Sequence, residues 1–333
     1  MAILLTGGAG YIGSHTAVEV LSSGFDVVIA DNYSNSSPSV IEKIEEISGK
    51  SVKSYNVDVA DYKGLDLIFK ENNIDAVIHF AGYKAVGESV ANPIMYYKNN
   101  IDSTLVLLEV MQKYSVNNFV FSSSATVYGE YAVPPYVETY DTGNCTNPYA
   151  WTKFMIEKIL EDVSISNKDF SAVSLRYFNP VGAHKSSLIG ENPKGIPNNL
   201  MPYITQVAVK KLESLSIFGN DYPTKDGTGV RDYIHIVDLA KGHVLAIDYA
   251  MKNQGFDAIN LGTGIGYSVL DIVESFKRVN DIDIPYKFAP RRSGDIAEFF
   301  ASAEKAKDKL GWTAQKTLDD MCKDSWNFQK NLM

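Results

Sequence analysis

The chain has 333 residues, and at roughly 150 residues per domain this length predicts about two domains, or one large domain with an addition. Hydrophobic residues make up 45% and charged residues 21% of the chain, which excludes a disordered protein. The 31 basic and 40 acidic residues give a net charge of −9, which argues against binding to nucleic acid or to an anionic membrane, because both attract a positive surface.

The cysteines and histidines exclude two further classes of site. Cys145 and Cys322 stand far apart without CxxC spacing, so we expect neither a disulfide framework nor a thiolate zinc site. The 5 histidines lack ligand spacings such as HExxH, and we expect no bound metal. The N-terminal segment has no basic region and no run of about 18 apolar residues occurs. These features predict a cytoplasmic protein.

The first half of the chain alternates short apolar runs with helical patterns. Runs rich in Val, Ile, Leu and Phe predict strands at 2–6, 26–31, 51–58, 75–81, 118–122 and 171–177. Helices are predicted between them, near 12–22, 40–48, 62–71, 94–114 and 149–166. This alternation predicts right-handed βαβ units and an α/β fold with a Rossmann-type, doubly wound parallel sheet.

The composition changes after about residue 180, where Gly, Pro, Asn and Lys become frequent. Further elements are predicted as a helix near 200–213, an α/β portion at 232–250, a strand at 258–261, a helix at 268–279 and a C-terminal helical tail. We therefore predict a nucleotide-binding domain over 1–180 and a smaller C-terminal α/β substrate domain over 181–333. Part of 231–262 is expected to return to the first domain.

Glycines occur where the first strand meets the first helix, in the stretch TGGAGYIG at 6–13. Gly7, Gly10 and Gly13 fit GxxGxxG, and the same stretch fits GxGxxG from Gly8. Without Cβ atoms the backbone can turn sharply and approach a pyrophosphate at the positive end of a helix. The strand before the loop and the helix after it are the context in which this pattern predicts dinucleotide binding.

Acidic residues end the second and third predicted strands. Asp31 lies 18 residues beyond Gly13, where a carboxylate accepts the ribose hydroxyls of adenosine and repels a 2′-phosphate, so NAD is predicted rather than NADP. The alternative for Asp31 is a turn residue before Asn32. Asp58 ends the third strand, where it could meet the adenine amino group.

Tyr149 and Lys153 form a YxxxK pair at the start of a predicted helix. Residues four apart share one helix face, so the phenol and the ammonium can point into one cavity. Ser122, Ser123 and Ser124 end the preceding strand, at the edge where open α/β sheets bind ligands.

A phenol with a pKa of about 10 is a poor base at neutral pH. A lysine ammonium and a positive nicotinamide ring nearby favour the phenolate, and a serine hydroxyl can hold a substrate oxygen as its proton leaves. The sequence therefore predicts a tyrosine base. The alternative is a surface pair on a helix beside a serine turn.

Several stretches carry a family resemblance: TGGAGYIGSHT at 6–16, DNYSNSS at 31–37, HFAGYKAVGESV at 79–90, SSSATVYG at 122–129, NPYAWTK at 147–153, RYFNPVGAH at 176–184, IPNNLMPY at 196–203, FGNDYPTKDGTGVRDYIHIVDLA at 218–240 and RRSGD at 291–295. On these motifs the chain resembles the extended short-chain dehydrogenase/reductase family over essentially its whole length. Within that family it is most similar to the UDP-hexose 4-epimerases.

The resemblance implies a redox-neutral epimerisation at C4 of the hexose of UDP-galactose and UDP-glucose. Tyr149 would remove the proton of the 4′-hydroxyl, Lys153 would tune that tyrosine and hold the nicotinamide ribose, and Ser124 would assist. The hydride would pass to a tightly held NAD, and the 4-ketopyranose would turn over before the hydride returns to its opposite face.

The resemblance also implies two sets of ligand contacts. NAD would be bound by Gly7, Gly10, Tyr11, Ile12, Gly13, Asp31, Asn32, Asp58, Val59, Phe80, Ala81, Gly82, Lys84, Asn99, Ser122, Tyr149, Lys153, Tyr177 and Phe178. The UDP-sugar would be bound by Ser124, Tyr149, Asn179, Asn199, Leu200, Phe218, Arg231, Tyr233, Arg292, Asp295 and Phe299. Helix caps or core packing are the alternative for several of the cofactor residues.

Within the substrate set, residue chemistry suggests individual roles. Arg231 and Arg292 suit diphosphate oxygens, because a guanidinium presents a fork of donors. The family pattern assigns Phe218 to uracil packing, Asp295 to the uridine ribose and Phe299 to the hexose. A phenylalanine there should crowd an N-acetyl group, so UDP-hexoses are expected to be preferred over UDP-N-acetylhexosamines.

Other functions are alternatives to the epimerase. A nucleotide-sugar 4,6-dehydratase needs an acid pair after the serine, whereas Ser124 is followed by Ala125 and Thr126. A sugar decarboxylase, a simple dehydrogenase and a non-catalytic NAD-binding protein are further alternatives. The resemblance also implies a homodimer built from the helices near 94–114 and 149–166, whose outward faces should then be apolar.

Overall fold

The computed structural model describes residues 1–130, 133–193, 195, 197–292 and 294–333. Its strands are β1 (Ala2–Thr6), β2 (Asp26–Asp31), β3 (Lys53–Asn56), β4 (Ile74–His79), β5 (Asn118–Ser124), β6 (Ser171–Tyr177), β7 (Asn179–Val181), β8 (Leu215–Phe218), β9 (Val230–His235), β10 (Gly255–Leu261), β11 (Gly266–Ser268), β12 (Tyr286–Ala289) and β13 (Glu298–Phe299). Its helices are α1 (Tyr11–Ser22), α2 (Ser39–Ser48), α3 (Tyr62–Glu71), α4 (Val86–Ala91), α5 (Pro93–Lys113), α6 (Pro148–Ser166), α7 (Leu200–Ala208), α8 (Ile236–Ala250), α9 (Val269–Asn280), α10 (Glu304–Leu310) and α11 (Leu318–Asn331).

A seven-stranded sheet in the order β10-β6-β5-β4-β1-β2-β3 forms the centre of the first half. Every neighbouring pair in it is parallel. The strand order reverses at β1, which pairs with β2 on one side and with β4 on the other. The predicted doubly wound fold is confirmed, and the reversal creates the crevice in which such sheets bind ligands.

The core of this sheet has two faces because successive side chains of a strand point in opposite directions. Ile3 and Leu5 of β1 belong to the cluster that includes α1, α2 and α8. Leu4 belongs to the cluster on the other face, formed with α3, α5 and α6. Strands buried on both faces have continuous apolar sequences, and for this reason they could be predicted from the sequence.

In the second half of the chain, the described residues form two smaller sheets. In one of them β9 pairs with β11, β13 and β7, and in the other β12 pairs with β8. A third core cluster, including Ile204, Ile272, Phe276 and Met321, lies under these strands between α7, α9 and α11. Strand β10 pairs with β6 at the edge of the large sheet. The division into domains at about residue 180 stays a prediction.

Local chemistry sets where the helices near the site begin. The Asn147 side chain accepts a hydrogen bond of 2.9 Å from the amide of Ala150, and Pro148 occupies the first turn of α6. This cap places Tyr149 in the first turn of the helix. Among the residues described, no helix combines the length and the apolar character needed to cross a bilayer.

Candidate active site

The predicted site residues gather at one edge of the large sheet. The glycine loop follows β1, Asp31 ends β2, Ser124 ends β5 and Tyr177 ends β6. All these strands are parallel, so their carboxyl ends meet at the same edge. The edge therefore brings together residues that are far apart in the sequence.

The glycine loop is tightly folded and needs its glycines. Gly7 has φ of 68° and donates its amide to the carbonyl of Ala30 at 2.8 Å. A Cβ on Gly7 would lie 2.8 Å from the amide nitrogen of Ala81, and one on Gly13 would lie 2.5 Å from the carbonyl oxygen of Gly7. Gly10 is the N-cap of α1 and has no side chain to offer. Among the described residues, no side chain accepts a hydrogen bond from the first amides of this helix. These amides are an anion-binding group. Tyr11 and Ile12 form the first turn of this helix.

Asp31 holds this loop from the neighbouring strand. Its carboxylate is 7% exposed and accepts hydrogen bonds from the amide of Ala9 at 3.0 Å, the amide of Tyr33 at 2.9 Å and the hydroxyl of Ser36 at 2.9 Å. The hydrogen bond from Tyr33 forms a turn at Asp31, so this residue also has the turn role that was the alternative. A carboxylate has about four lone-pair positions, so Asp31 still has accepting capacity for ribose hydroxyls.

Asn32 and Asp58, the predicted cofactor residues that follow β2 and β3, lie at the surface. Asn32 Nδ2 donates to Asp58 Oδ2 at 3.2 Å across the ends of β2 and β3. Asp58 also accepts the amide of Ala60 at 2.9 Å. Val59, by contrast, is buried in the core. The contact of Asp58 with an adenine stays a prediction.

The turn after β4 lies against the glycine loop. The amide of Phe80 donates to the carbonyl of Thr6 at 2.9 Å. Ala81 is the residue that a side chain on Gly7 would strike. Gly82, with φ of 151°, lies beside Asn100, to which Asn99 Nδ2 donates at 3.0 Å. Lys84 pairs with Glu191 at 3.6 Å.

Tyr149, Lys153 and Ser124 come together between α6 and the end of β5. Lys153 is 6% exposed, and its Nζ donates to the carbonyl of Ser122 at 2.6 Å. That nitrogen lies 5.8 Å from the centre of the Tyr149 ring. Ser124 caps a short 3₁₀ turn and accepts a hydrogen bond of 2.9 Å from Thr126 Oγ1. The predicted constellation is thus present as a spatial cluster.

Burial is the largest influence on the pKa values of Tyr149 and Lys153. Burial raises the pKa of Tyr149, with hydrogen bonding to Ser124 acting in the opposite direction. Burial lowers the pKa of Lys153 to about 7, opposed by the charge of Glu157. Burial thus acts against the charged form of both groups. The predicted phenolate depends on the lysine together with a positive nicotinamide ring, so the tuning of Tyr149 by Lys153 stays a prediction.

The end of β6 places two aromatic residues beside this cluster. The Tyr177 hydroxyl is hydrogen-bonded to His243 Nε2 of α8. Phe178, which follows it, packs 5.1 Å from the ring of Phe299. Phe299 in turn lies 4.6 Å from the ring of Tyr136. An aromatic wall thus joins a predicted cofactor residue to the predicted hexose residue.

The predicted uridine and diphosphate residues form a second, more exposed group. Arg292 Nε donates to Asp295 Oδ2 at 2.9 Å, and Arg231 Nη2 lies 3.7 Å from Asp295 Oδ1. The guanidinium of Arg292 lies 5.0 Å from the centre of the Phe218 ring. Arg231 and Phe299 are register partners between β9 and β13. Both arginines therefore share one carboxylate, beside an exposed aromatic ring.

The other predicted substrate residues lie on β7, on β9 and at the start of α7. Asn179 of β7 is the register partner of Tyr233 on β9. Asn199 precedes Leu200, the first residue of α7, and its Nδ2 donates to Glu191 Oε1 at 2.6 Å. Two letters of the quoted motifs, Ile196 and Ser293, lie outside the described residues.

Sequence reasoning missed several residues of this neighbourhood. Glu191 bridges Lys84 and Asn199, and His243 holds Tyr177. Glu157, which acts on Lys153, follows that lysine by four residues, so helical spacing could have identified it. Nothing local in the sequence connects Glu191 to its partners.

The sequence matches the family model described as GDP-mannose 4,6 dehydratase over residues 4–325. The UDP-glucose 4-epimerase of Bacillus subtilis (strain 168) is 58% identical over 331 residues, covering 99% of this chain and 97% of that protein.

Solved structures are similar over the same length. UDP-glucose 4-epimerase from Bifidobacterium longum, in complex with NAD⁺ and UDP, has a TM-score of 0.96 at 54% identity, covering 99% of this chain and 98% of that one. The enzyme of that name from Stenotrophomonas maltophila, with bound NAD and formylated UDP-arabinopyranose, has a TM-score of 0.98 at 47% identity, covering 100% and 98%. The resemblance that the motifs indicated is confirmed.

Proposed function

This chain belongs to the UDP-glucose 4-epimerase family, and we propose that it interconverts UDP-galactose and UDP-glucose at C4 of the hexose, using NAD. The observation that carries the proposal is the cluster of Tyr149, Lys153 and Ser124 at the carboxyl edge of the sheet that also bears the glycine loop. In this proposal residues 1–180 hold the cofactor and supply the catalytic residues, and residues 181–333 hold most of the UDP-sugar, with part of 231–262 returning to the first domain as β10.

The residues present fit NAD. The glycine loop leaves no room for a Cβ on Gly7 or Gly13, and the amides of α1, which no described side chain caps, are free to meet a pyrophosphate. Asp31 adds a carboxylate where the adenosine ribose would lie. When bound, NAD would supply the acceptor and then the donor of the C4 hydride, so the reaction would have no net redox change.

Acid–base chemistry falls to Tyr149. Its phenolate would take the proton of the 4′-hydroxyl as C4 is oxidised to a ketone, and its phenol would return that proton when C4 is reduced on the opposite face. Ser124 lies close enough to Tyr149 to hold the same sugar oxygen. Lys153, held on the carbonyl of Ser122, supplies a positive charge beside the phenolate.

Binding of the substrate is assigned mainly to its UDP part. Arg231 and Arg292 are placed to exchange the carboxylate of Asp295 for diphosphate oxygens, which accept the same fork of hydrogen bonds. Asp295 would then be free for the uridine ribose, with Phe218 beside the base. We propose that the wall of Tyr136, Phe178 and Phe299 restricts the hexose, so that UDP-N-acetylhexosamines are poorer substrates.

A 4,6-dehydratase is the second candidate, because the matching family model carries that description. Elimination across C5 and C6 needs an acid after the catalytic serine. Here Ser124 is followed by Ala125 and Thr126, and the Thr126 hydroxyl donates to Ser124 at 2.9 Å. These two residues offer no carboxyl group for the elimination, which favours the epimerase.

We also propose that the enzyme is a homodimer joined through α5 and α6. These helices pack against each other, and their outer surfaces carry apolar side chains, of which Ile94 is 80% and Ile165 61% exposed. Ile94 and Leu105 lie eleven residues apart, about three helical turns, and so share one stripe of α5. Light scattering after gel filtration should give the dimer mass, and Ile94→Glu with Leu105→Glu should give the monomer mass.

We further propose that the enzyme works in the cytoplasm, where thiols stay reduced. Cys145 and Cys322 are both free. Fractionation of the source cells, with the activity followed through each fraction, tests this location.

The function is tested by NMR of the purified protein mixed with UDP-galactose and no added nucleotide, followed by denaturation and assay of released NAD. The proposal expects UDP-glucose to appear and NAD to be released, and UDP-N-acetylgalactosamine to react more slowly under the same conditions. Persistence of UDP-galactose even with NAD supplied would contradict the substrate assignment. A 4-keto-6-deoxy product would identify a dehydratase instead.

A further inference from the structure

A charged pair lies buried beside the catalytic helix, and the proposed reaction does not yet use it. Glu157 Oε2 and Arg176 Nη2 are 2.7 Å apart, and their side chains are 4% and 6% exposed. Arg176 Nε also donates to Glu157 Oε1 at 3.0 Å, so the pair is bidentate. Taking two charges out of water is costly, and well-packed apolar side chains are often no less stabilising. The pair therefore invites a functional explanation.

Glu157 fastens α6 to β5. Its Oε1 accepts a hydrogen bond of 2.6 Å from Ser123 Oγ. Ser123 lies between Ser124 and Ser122, and the carbonyl of Ser122 accepts from Lys153 Nζ at 2.6 Å. Lys153 and Glu157 are four residues apart on one face of the helix, and they hold adjacent residues of the strand. A displacement of α6 along β5 would break both contacts together.

Arg176 connects Glu157 to the turn that follows Ser124. Its Nη1 donates to the Tyr128 hydroxyl at 3.0 Å, and Tyr128 ends the 3₁₀ turn that Ser124 caps. The Tyr128 hydroxyl donates in turn to Asn260 Oδ1 of β10 at 2.7 Å. The ion pair thus joins α6 in one buried hydrogen-bonded group with Ser123, just before Ser124, and with Tyr128, at the end of the turn that follows it.

Glu157 also acts on the charge of Lys153. Burial lowers the pKa of Lys153 to about 7, and the Glu157 carboxylate opposes this change. The other groups facing Lys153 are the Phe121 ring of β5 at 4.7 Å, the Tyr149 ring of α6 at 5.8 Å, and His79 of β4. Burial lowers the pKa of His79 to about 3, so it is neutral at pH 7. Within this set the negative charge comes from Glu157.

We propose that Glu157 is a positioning residue for C4 epimerisation: it holds α6 on β5 in the register that the catalytic residues need and keeps Lys153 protonated. Arg176 balances the carboxylate and extends its contact to the turn after Ser124. The inference rests on the proposed function, because it assigns Glu157 a role through Tyr149 and Lys153.

The test is Glu157→Gln in the full-length protein carrying its NAD. The kcat for UDP-galactose should fall about 10-fold or more while KM changes by less than about 3-fold, because the substrate contacts remain. The alkaline limb of the pH profile of kcat should move to lower pH, because Lys153 loses its proton more readily without the carboxylate.

Two further variants separate position from charge. Ser123→Ala removes the bond between Glu157 and β5 but leaves the charges intact, so kcat should fall while the alkaline limb stays in place. Glu274→Gln is the control, the same change on the exposed side of α9, away from α5 and α6, where Glu274 lies 3.6 Å from Lys277. Its kcat and pH profile should equal those of the wild type.

The proposal is overturned if the alkaline limb of Glu157→Gln does not move, or if Ser123→Ala retains the wild-type kcat. Ser123→Ala decides alone if Glu157→Gln does not fold. Lack of any conversion by the wild-type protein with its NAD bound would instead contradict the proposed function, so the two failures are distinguishable.

Discussion

The two ends of the site are built in different ways. At the sheet end, Asp31, Lys153 and Tyr177 are between 6% and 7% exposed, and their contacts are hydrogen bonds to backbone and buried side chains. At the uridine end, Phe218 is 40% exposed and the Arg292 side chain 57%. The sheet end is part of the folded core, whereas the uridine end includes side chains at the surface.

This difference suits a cofactor that stays and a substrate that exchanges. The exposed pair of Arg292 and Asp295 contributes about 0–1 kcal/mol, so a diphosphate can replace the carboxylate at little cost. Rearranging the buried end would instead break bonds on which the fold depends, such as those from Ala9 and Tyr33 to Asp31. Four predictions test the contrast, in order of decreasing effect.

Tyr149→Phe should have the largest effect. It removes the acid–base group without changing the shape of the ring, so kcat should fall about 10³-fold. The NAD content after denaturation should match that of the wild type, because the fold of the sheet end is untouched. A kcat within 10-fold of the wild type would contradict the role of this tyrosine.

Gly13→Ala should damage the sheet end as a whole. The new Cβ would lie 2.5 Å from the carbonyl oxygen of Gly7 and 2.7 Å from the Cα of Gly8, both backbone atoms that cannot turn aside. The free energy of unfolding should fall by about 1–3 kcal/mol, and the purified protein should contain little NAD. Gly87→Ala is the control, since a Cβ on Gly87 would meet no atom within 4 Å. Full NAD content in Gly13→Ala would contradict the prediction that NAD binding needs a glycine at this position.

Acid should destabilise the sheet end. Burial lowers the pKa of His79 to about 3 and that of His243 to about 4, below the unfolded value of about 6.5. Between these values the unfolded chain binds protons that the folded chain does not, so stability is fully present above pH of about 6.5 and is lost as the pH falls. Each histidine should contribute about 1.4 kcal/mol per pH unit.

The measurement is urea unfolding at several pH values between 7.5 and 5, comparing wild type with His79→Gln. Glutamine can still bond to Thr6 and Thr104, the partners of His79 at 2.7 and 3.0 Å, but does not titrate. Its stability should decline less steeply with acid. An equal slope in the two proteins would show that His79 is not the source.

Arg292→Ala should have the smallest of these effects and leave the sheet end unchanged. Loss of a guanidinium from the diphosphate should raise KM for UDP-galactose about 10-fold, with kcat within about 2-fold and full NAD content. Arg291→Ala is the matched control, because Arg291 pairs with Asp221 at 2.7 Å and stacks on Tyr222 instead. A lower kcat with unchanged KM in Arg292→Ala would place that arginine in the chemistry rather than in binding.

The sequence predicted the sheet end better than the uridine end, for a physical reason. The bounds of β1, β2 and β6 agree with the predicted 2–6, 26–31 and 171–177, because strands buried on both faces form unbroken apolar runs. The two-residue strand β13 was not predicted. It exists through long-range pairing with β9, which leaves no local pattern.

Helix ends show the same limit. The helix predicted near 200–213 ends at Ala208, and Lys210 then adopts a φ of 60°, which no helix continues through. The helix predicted at 94–114 is preceded by the separate α4, since Pro93 begins a new helix. Apolar spacing locates a helix, but tertiary contacts decide its ends.

Within the site, patterns that lie close together in the sequence were the ones that could be found. The glycine loop and the YxxxK pair each occupy one stretch, and the structure places both at the carboxyl edge of the sheet. Arg176, the partner of Glu157, lies on another strand and is joined to it only by folding. The ligand contacts of the individual site residues stay a prediction that the variants above address.

The return of β10 to the large sheet has a consequence for synthesis on the ribosome. The register partner of Ser171 on β6 is Gly255, so the residues between them, including β7, β8 and β9, must leave the ribosome first. Until then β6 is an unprotected edge strand of a nearly finished sheet, open to pairing with another nascent chain. Chaperone dependence and aggregation during expression should therefore be concentrated in chains truncated between β6 and β10.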